Sequence, residues 1–162
     1  MKIRVDSDEY KCWHEVGHAT ACLHFHGDVE CIEFLDGHSH GYARARCIVL
    51  PEFERHVACG GFAAEFYLLK NGYAEKWHDD ERDINLIVFN NAIIDRAAFW
   101  ERERGWDEPF TEAEDREFMN HAIKSVVPIF DLYFPRMREL VSELFEGRRV
   151  EGRRVKELLR LR

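Results

Sequence analysis

The sequence predicts a mainly α-helical domain, residues 1–162, carrying a small β-hairpin or sheet. Three observations predict it. Most of the chain falls into stretches of helix-compatible residues closed by glycine, asparagine or proline signals. Alternation of apolar and polar residues is confined to one short region between Val29 and Leu50. No internal repeat, low-complexity tract or linker divides the 162 residues. A chain of this length fits one domain, and its 46% hydrophobic and 13% aromatic content is enough for a core.

The elements follow in order. Asp6 with Glu9 three residues later reads as a capping box, so a helix is expected from about Ser7 to Phe25, ended by Gly27-Asp28. Val29 to Leu35 alternates as a strand, Asp36-Gly37 is a turn signal, and Tyr42 to Leu50 reads as a second strand. Pro51 suits a first helical turn, and a helix is expected over 52–70 before Asn71-Gly72. Asp79 or Asp80 is placed to cap one long helix through about Arg104, which Gly105 ends. Thr111 and Glu114 form another capping box, opening a helical region to about Phe145 that should break or bend near Pro128 and Pro135. A short last helix is expected over 150–161.

Charge narrows the function. With 23 basic and 31 acidic residues the net charge is −8, which argues against nucleic acid as a partner because phosphate binding needs a basic footprint. The late arginines, such as Arg148, Arg153 and Arg154, read as a solvated helix face. The five cysteines are odd in number and widely spread, without a Cys-x-x-Cys pair, as expected of reduced thiols. No apolar run approaches the roughly 20 residues of a membrane span, and the first residues turn polar at once, so the chain reads as cytoplasmic.

His14-Glu15-Val16-Gly17-His18 spells H-E-x-x-H inside the first expected helix. Residues four apart on a helix lie about 40° apart around the axis, so both imidazoles emerge on one face and can chelate zinc. Glu15 is then placed to take a proton from a zinc-activated water and pass it to a leaving amine. A catalytic zinc needs a third protein ligand. His24 nearly completes an H-E-x-x-H-x-x-G-x-x-H pattern, but Ala21 stands where the glycine would permit a turn. A continuing helix carries His24 about 15 Å from His14 along the axis, too far for one metal. His26, His38 and His40 read as surface residues near the hairpin.

Gly60-Gly61-Phe62-Ala63-Ala64-Glu65 supplies a second signature. Together with His14-Glu15-Val16-Gly17-His18-Ala19 it resembles the peptidase domain of the FtsH family of ATP-dependent zinc proteases. Asp83-Ile84 looks like that family's acidic zinc ligand at the opening of a long helix, and the resemblance runs over nearly the whole chain. It implies a zincin-like helical peptidase fold, with His14, His18 and Asp83 as zinc ligands and Glu15 as the catalytic residue. On the residues alone, Asp83 shares a helical face with Ile87, Asn90 and Ile94, where an inward carboxylate needs a partner; the alternative is that it caps its helix. Glu65 is the alternative carboxylate, or a group orienting a zinc-bound imidazole. Val16 and Phe62 depart from the family's Ala and Arg. No G-x-x-x-x-G-K-[ST] motif occurs in these residues.

The expected function is therefore an ATP-independent zinc endopeptidase acting on peptides or unfolded and flexible protein segments, alone, as a homo-oligomer or with a separate partner protein. Two alternatives compete. A regulatory metalloprotease of the ImmA/IrrE type would place His56 at its third-ligand position. A non-catalytic zinc-stabilised module would bind a partner and need no base at Glu15. Tyr42 is a conceivable oxyanion donor, and the strand over 42–50 is a candidate edge for pairing with an extended substrate.

Overall fold

The computed structural model describes residues 1–35, 42–102 and 109–160, without the side chains of Leu35 and Tyr42. The expected Asp36-Gly37 turn, His38, His40, the Tyr42 hydroxyl and the end at Gly105 lie outside the described residues. The fold is mainly helical with a small sheet, as expected.

Helix α1 (Asp8–His24) is the centre of the molecule. Its N-cap is Ser7 rather than Asp6: the Ser7 hydroxyl accepts the Tyr10 N–H at 3.1 Å, and Asp8 and Glu9 sit favourably at the positive end of the dipole. Asp6 instead takes a left-handed φ of 64° and accepts a hydrogen bond from Asn91 Nδ2 at 2.8 Å. Tyr10, Trp13, Val16, Ala19 and Cys22 are buried, and Trp13 stacks on Phe134 with ring centroids 5.4 Å apart. Burying such side chains stabilises the fold by about 1.5–3 kcal/mol each.

Strands β2 (Asp28–Leu35) and β3 (Tyr42–Ile48) pair antiparallel as expected. A third strand, β5 (Arg149–Glu151), joins the other side of β2, giving the order β3-β2-β5 and leaving β3 at the edge. Two short strands, β1 (Ile3–Arg4) and β4 (Ala74–Glu75), form a separate parallel pair.

The helix expected over 52–70 is divided. A 3-10 turn at Pro51–Phe53 leads into α2 (Glu54–Ala58), and Cys59 (ψ 4°) separates it from α3 (Gly60–Lys70). Helix α3 lies hard against α1: a Cβ on Gly17 would stand 2.4 Å from the Gly60 carbonyl oxygen. The expected long helix to Arg104 is likewise two, α4 (Ile84–Asn91) and α5 (Ile93–Phe99), broken at Ala92. The Thr111–Glu114 capping box is present at α6 (Glu112–His121). After α6 a π-helical turn (Ala122–Val126) and a 3-10 turn containing Pro128 precede α7 (Phe130–Gly147), which runs through Pro135. Pro128 has no N–H to continue a helical ladder, which accounts for the break there. Helix α8 (Gly152–Leu159) closes the chain, with Val155 and Leu159 buried. All five cysteines are free thiols, and no helix among the described residues is long and apolar enough to cross a membrane.

Candidate metal centre

His14 and His18 emerge from the same face of α1, as their spacing requires, with their Nε2 atoms 3.2 Å apart. The third acid beside them is Asp95 of α5. Its Oδ1 lies 3.1 Å from His18 Nε2 and 3.4 Å from His14 Nε2. These three ligand atoms lie within 4.8 Å of one another, the only such grouping of three among the described residues.

Each ligand is held from behind. His14 Nδ1 is 3.1 Å from Glu65 Oε1 on α3, and His18 Nδ1 donates to the Val57 carbonyl of α2 at 2.7 Å. Asp95 Oδ2 accepts the Phe62 N–H at 3.0 Å. Phe62 is the third residue of α3, so Asp95 satisfies one of that helix's orphan donors at its positive end. The break at Cys59 starts α3 where it can meet Asp95, and the Val57 carbonyl near the end of α2 faces His18. Gly61 leaves room for the His14 ring, since a Cβ there would come 2.3 Å from Nε2.

These bonds decide where the lone pairs point. The Val57 carbonyl can only accept, so His18 carries its proton on Nδ1. The Glu65 carboxylate makes the same demand of His14. In the neutral rings both Nε2 lone pairs then face each other and the Asp95 carboxylate. Three acceptors converge with no donor between them, an arrangement that needs protons or a cation. His₂-carboxylate is an accepted zinc donor set, so the residues fit that metal.

The electrostatics agree. Burial opposes charge on His14, yet Asp95 and Glu65 outweigh it and hold its pKa well above the usual imidazole range. His18 is raised in the same way, burial being overcome chiefly by Asp95. Burial alone would raise Asp95, but the two imidazoles hold it well below the carboxylate range.

Glu15 stands apart from the ligand grouping. Its Oε2 accepts the Ala45 N–H of β3 at 2.7 Å, and burial pushes its pKa up against the pull of His14 and His18. A buried carboxyl with a raised pKa is suited to taking and returning a proton.

The structure does not bring Asp83 to the histidines. Asp83 is the exposed N-cap of α4, accepting from the N–H groups of Asn85 at 2.8 Å and Leu86 at 3.4 Å. The expectation of Asp83 as third ligand is corrected to Asp95, and the capping alternative describes Asp83. His56 packs its ring against Phe25 and His121, and His24 is 3.0 Å from the Tyr133 hydroxyl; neither joins the grouping. Glu65 occupies the imidazole-orienting position. Asp95 had a signal in the sequence: it falls on one helical stripe with Val88, Ala92 and Phe99, all buried, where a carboxylate demands a partner. No family model matches the chain, and no curated protein matches it.

Proposed function

We propose that the chain is a zinc-dependent peptidase that hydrolyses peptides or flexible protein segments, with His14, His18 and Asp95 holding the metal and Glu15 as the general base. The observation that carries this reading is the convergence of His14 Nε2, His18 Nε2 and Asp95 Oδ1 beside a carboxylate that is not one of the three. Zinc bound there would supply Lewis acidity and bring the pKa of a water toward about 7. Glu15 would take the attacking water's proton on its carboxylate and deliver it to the leaving nitrogen. The Ala45 N–H anchors one Glu15 oxygen and so leaves the other for that transfer.

The cleft in front of Glu15 supports a peptide as substrate. Ala43, Ala45 and Cys47 of edge strand β3 line it, opposite Ile94 and Ala98 of α5. Phe34 donates its N–H to Arg148 on the β5 side of β2, so Ile32 also faces β5 by alternation, and Ala45, paired with Ile32, turns its N–H outward to the cleft. Glu15 holds the Ala45 N–H itself, and an extended chain can pair with the edge beside it.

The resemblance to the FtsH peptidase domain is supported by the packing of its two motifs, since Gly17 and Gly60 meet and Glu65 orients His14. With Asp95 in place of Asp83, the metal set has the same chemistry. These residues contain no phosphate-binding loop, and the proposed hydrolysis at the metal itself needs no ATP. Free, mostly buried thiols favour a cytoplasmic setting, and the charge of −8 disfavours nucleic acid. The non-catalytic zinc module is the second reading, and it leaves Glu15 without a role.

Glu15→Gln separates the two. The variant should retain stoichiometric zinc by elemental analysis and lose hydrolysis of a fluorogenic peptide library by about 10²–10⁴-fold. Equal activity of the variant and the wild type would remove Glu15 as base, and no cleavage by either would leave the zinc module as the surviving reading.

A further inference from the structure

We infer that Cys22 and Cys47 are a site of reversible oxidation, at which a peroxide closes a disulfide between helix α1, which carries His14 and His18, and the edge strand β3. The slowing of cleavage that follows rests on the peptidase reading. The bond itself rests on the placement of the two thiols.

Cys22 lies on α1 one helical turn beyond His18, and Cys47 lies on β3 two residues beyond Ala45, whose N–H holds Glu15. The two thiols hydrogen-bond each other between helix and sheet, with Cys47 as donor. Backbone holds Cys22 in place: its Sγ lies 3.3 Å from the Asp28 carbonyl oxygen and 3.8 Å from that of Ile48, the residue after Cys47. Gly27 leaves room for this sulfur, since a Cβ there would stand 2.6 Å from Cys22 Sγ. Of the five cysteines, Cys47 alone is not fully buried, and it lines the cleft with Glu15 and His18. A small oxidant entering the cleft therefore meets one thiol with a second, buried thiol behind it. That is the arrangement of a reacting and a resolving cysteine.

The chemistry balances in two steps. The Cys47 sulfur attacks one peroxide oxygen, the O–O bond breaks, and the departing oxygen leaves with the thiol proton as water. Cys22 then attacks the sulfur of the resulting sulfenic acid, the S–O bond breaks, and the Cys22 proton leaves in a second water. The two thiols lose two electrons and the peroxide gains them. The bond from Cys47 holds the Cys22 pKa below its usual value despite burial, which suits Cys22 to the second attack. The same bond, with burial, pushes Cys47 up, so the first attack is slow and the pair answers sustained rather than brief exposure. An S–S bond of about 2.05 Å is shorter than a thiol–thiol hydrogen bond, so closing it draws β3 toward α1. Ala45 is two residues away, and a displacement of its N–H moves the Glu15 carboxylate it holds. A shift of about 1 Å at such a group can cost about 10²-fold in rate.

The test reads the bond and the activity separately. Zinc-loaded wild-type protein is incubated with hydrogen peroxide, and half of the sample is then treated with dithiothreitol. Peptide mapping by mass spectrometry should find Cys22 joined to Cys47 with the loss of two hydrogens, while Cys12, Cys31 and Cys59 remain free. The melting temperature should rise by about 3–10 °C, because the bridge restricts the unfolded chain. Hydrolysis of a fluorogenic peptide library should fall by about 10-fold or more. Both changes should reverse with dithiothreitol. Cys47→Ser and Cys22→Ala, each checked as folded by circular dichroism, should show neither. Peroxide that leaves both residues as thiols, carries Cys47 to sulfinic acid without a bridge, or joins a different pair overturns the site. A mapped bridge with cleavage at its reduced-state rate overturns the effect on the cleft. If neither the oxidised nor the reduced protein cuts any peptide, the peptidase reading falls, and mapping and melting temperature still decide the bridge.

Discussion

His18 and Asp95 meet with Nε2 and Oδ1 3.1 Å apart, although they lie on helices separated by most of the fold's first half. The contact is held by backbone on both sides, the Val57 carbonyl behind His18 and the Phe62 N–H behind Asp95. Metal affinity should therefore depend on Asp95 and not on Asp83. Asp95→Asn should weaken zinc binding by about 100-fold or more, since even groups behind the ligands are worth about 10–100-fold. Asp83→Ala should keep zinc and lose about 1 kcal/mol of stability through its lost N-cap. Chelator competition and thermal melts read the two effects, and loss of zinc from the Asp83 variant with Asp95→Asn unaffected would reverse the assignment.

The space that holds the His14 ring is set by a residue without a side chain. Gly61→Ala would place a Cβ 2.3 Å from His14 Nε2 and 2.4 Å from Cε1, too close for the ring to stay where it is. The ring must turn away from Glu65 or from Asp95. Zinc affinity should fall by about 10–100-fold while the fold, judged by circular dichroism, is kept. Unchanged affinity in a folded Gly61→Ala protein would show that the ring is not confined as the structure places it.

The path from sequence to this site was uneven for physical reasons. His14, Glu15 and His18 were legible because their spacing is a property of one helical turn, independent of the rest of the fold. The hairpin strands and the Thr111–Glu114 box were legible for the same reason, since each signal is local. Asp95 was hidden by the expectation of one helix from Asp79 or Asp80 to Arg104: the break at Ala92 carries no proline or glycine to announce it. The resemblance points to Asp83 instead, which one continuous helix would set on a face with Ile87, Asn90 and Ile94. Strand β5 overlaps the start of the helix expected over 150–161, because Arg149–Glu151 become a strand only by pairing with β2, over a hundred positions earlier. Asp6 lost the cap to Ser7 because its left-handed backbone turns it toward Asn91 instead.

His56 and His121 give the fold a pH response away from the metal. Their rings are 4.6 Å apart, and His56 Nδ1 and His121 Nε2 are buried without hydrogen-bond partners among the described residues. Burial lowers the pKa of both, and His121 is lowered further by His56 and Arg55, while Glu117 pulls the other way. Lowered imidazole pKa values mean that the unfolded chain takes up protons first as pH falls. Stability from this pair is complete above the unfolded value of about 6.5 and declines as pH falls below it toward the lower folded values. The melting temperature of wild type minus that of His121→Phe should fall between pH 7.5 and pH 5, on the order of a few degrees. A difference that stays constant over that range would show that the two rings titrate as they do in the unfolded chain.

Ala45 offers the sharpest separation of folding from chemistry. Its N–H points away from β2 and is used by Glu15 at 2.7 Å, so the ladder that holds the sheet does not need it. Proline is tolerated on edge strands where the missing N–H faces outward. Ala45→Pro should therefore leave the sheet and the zinc site intact, because neither His14, His18 nor Asp95 bonds to β3 through this group. What it removes is the tether on Glu15. Released, the carboxylate loses its fixed direction toward the cleft, and a displacement of the order of 1 Å can cost about 10²-fold in rate. The variant should bind zinc as the wild type does, melt within a few degrees of it, and cleave peptides about 10²-fold more slowly, the loss lying in kcat. The same loss placed wholly in KM would assign the Ala45 N–H to substrate pairing instead, and an undiminished rate would mean that Glu15 needs no tether to act.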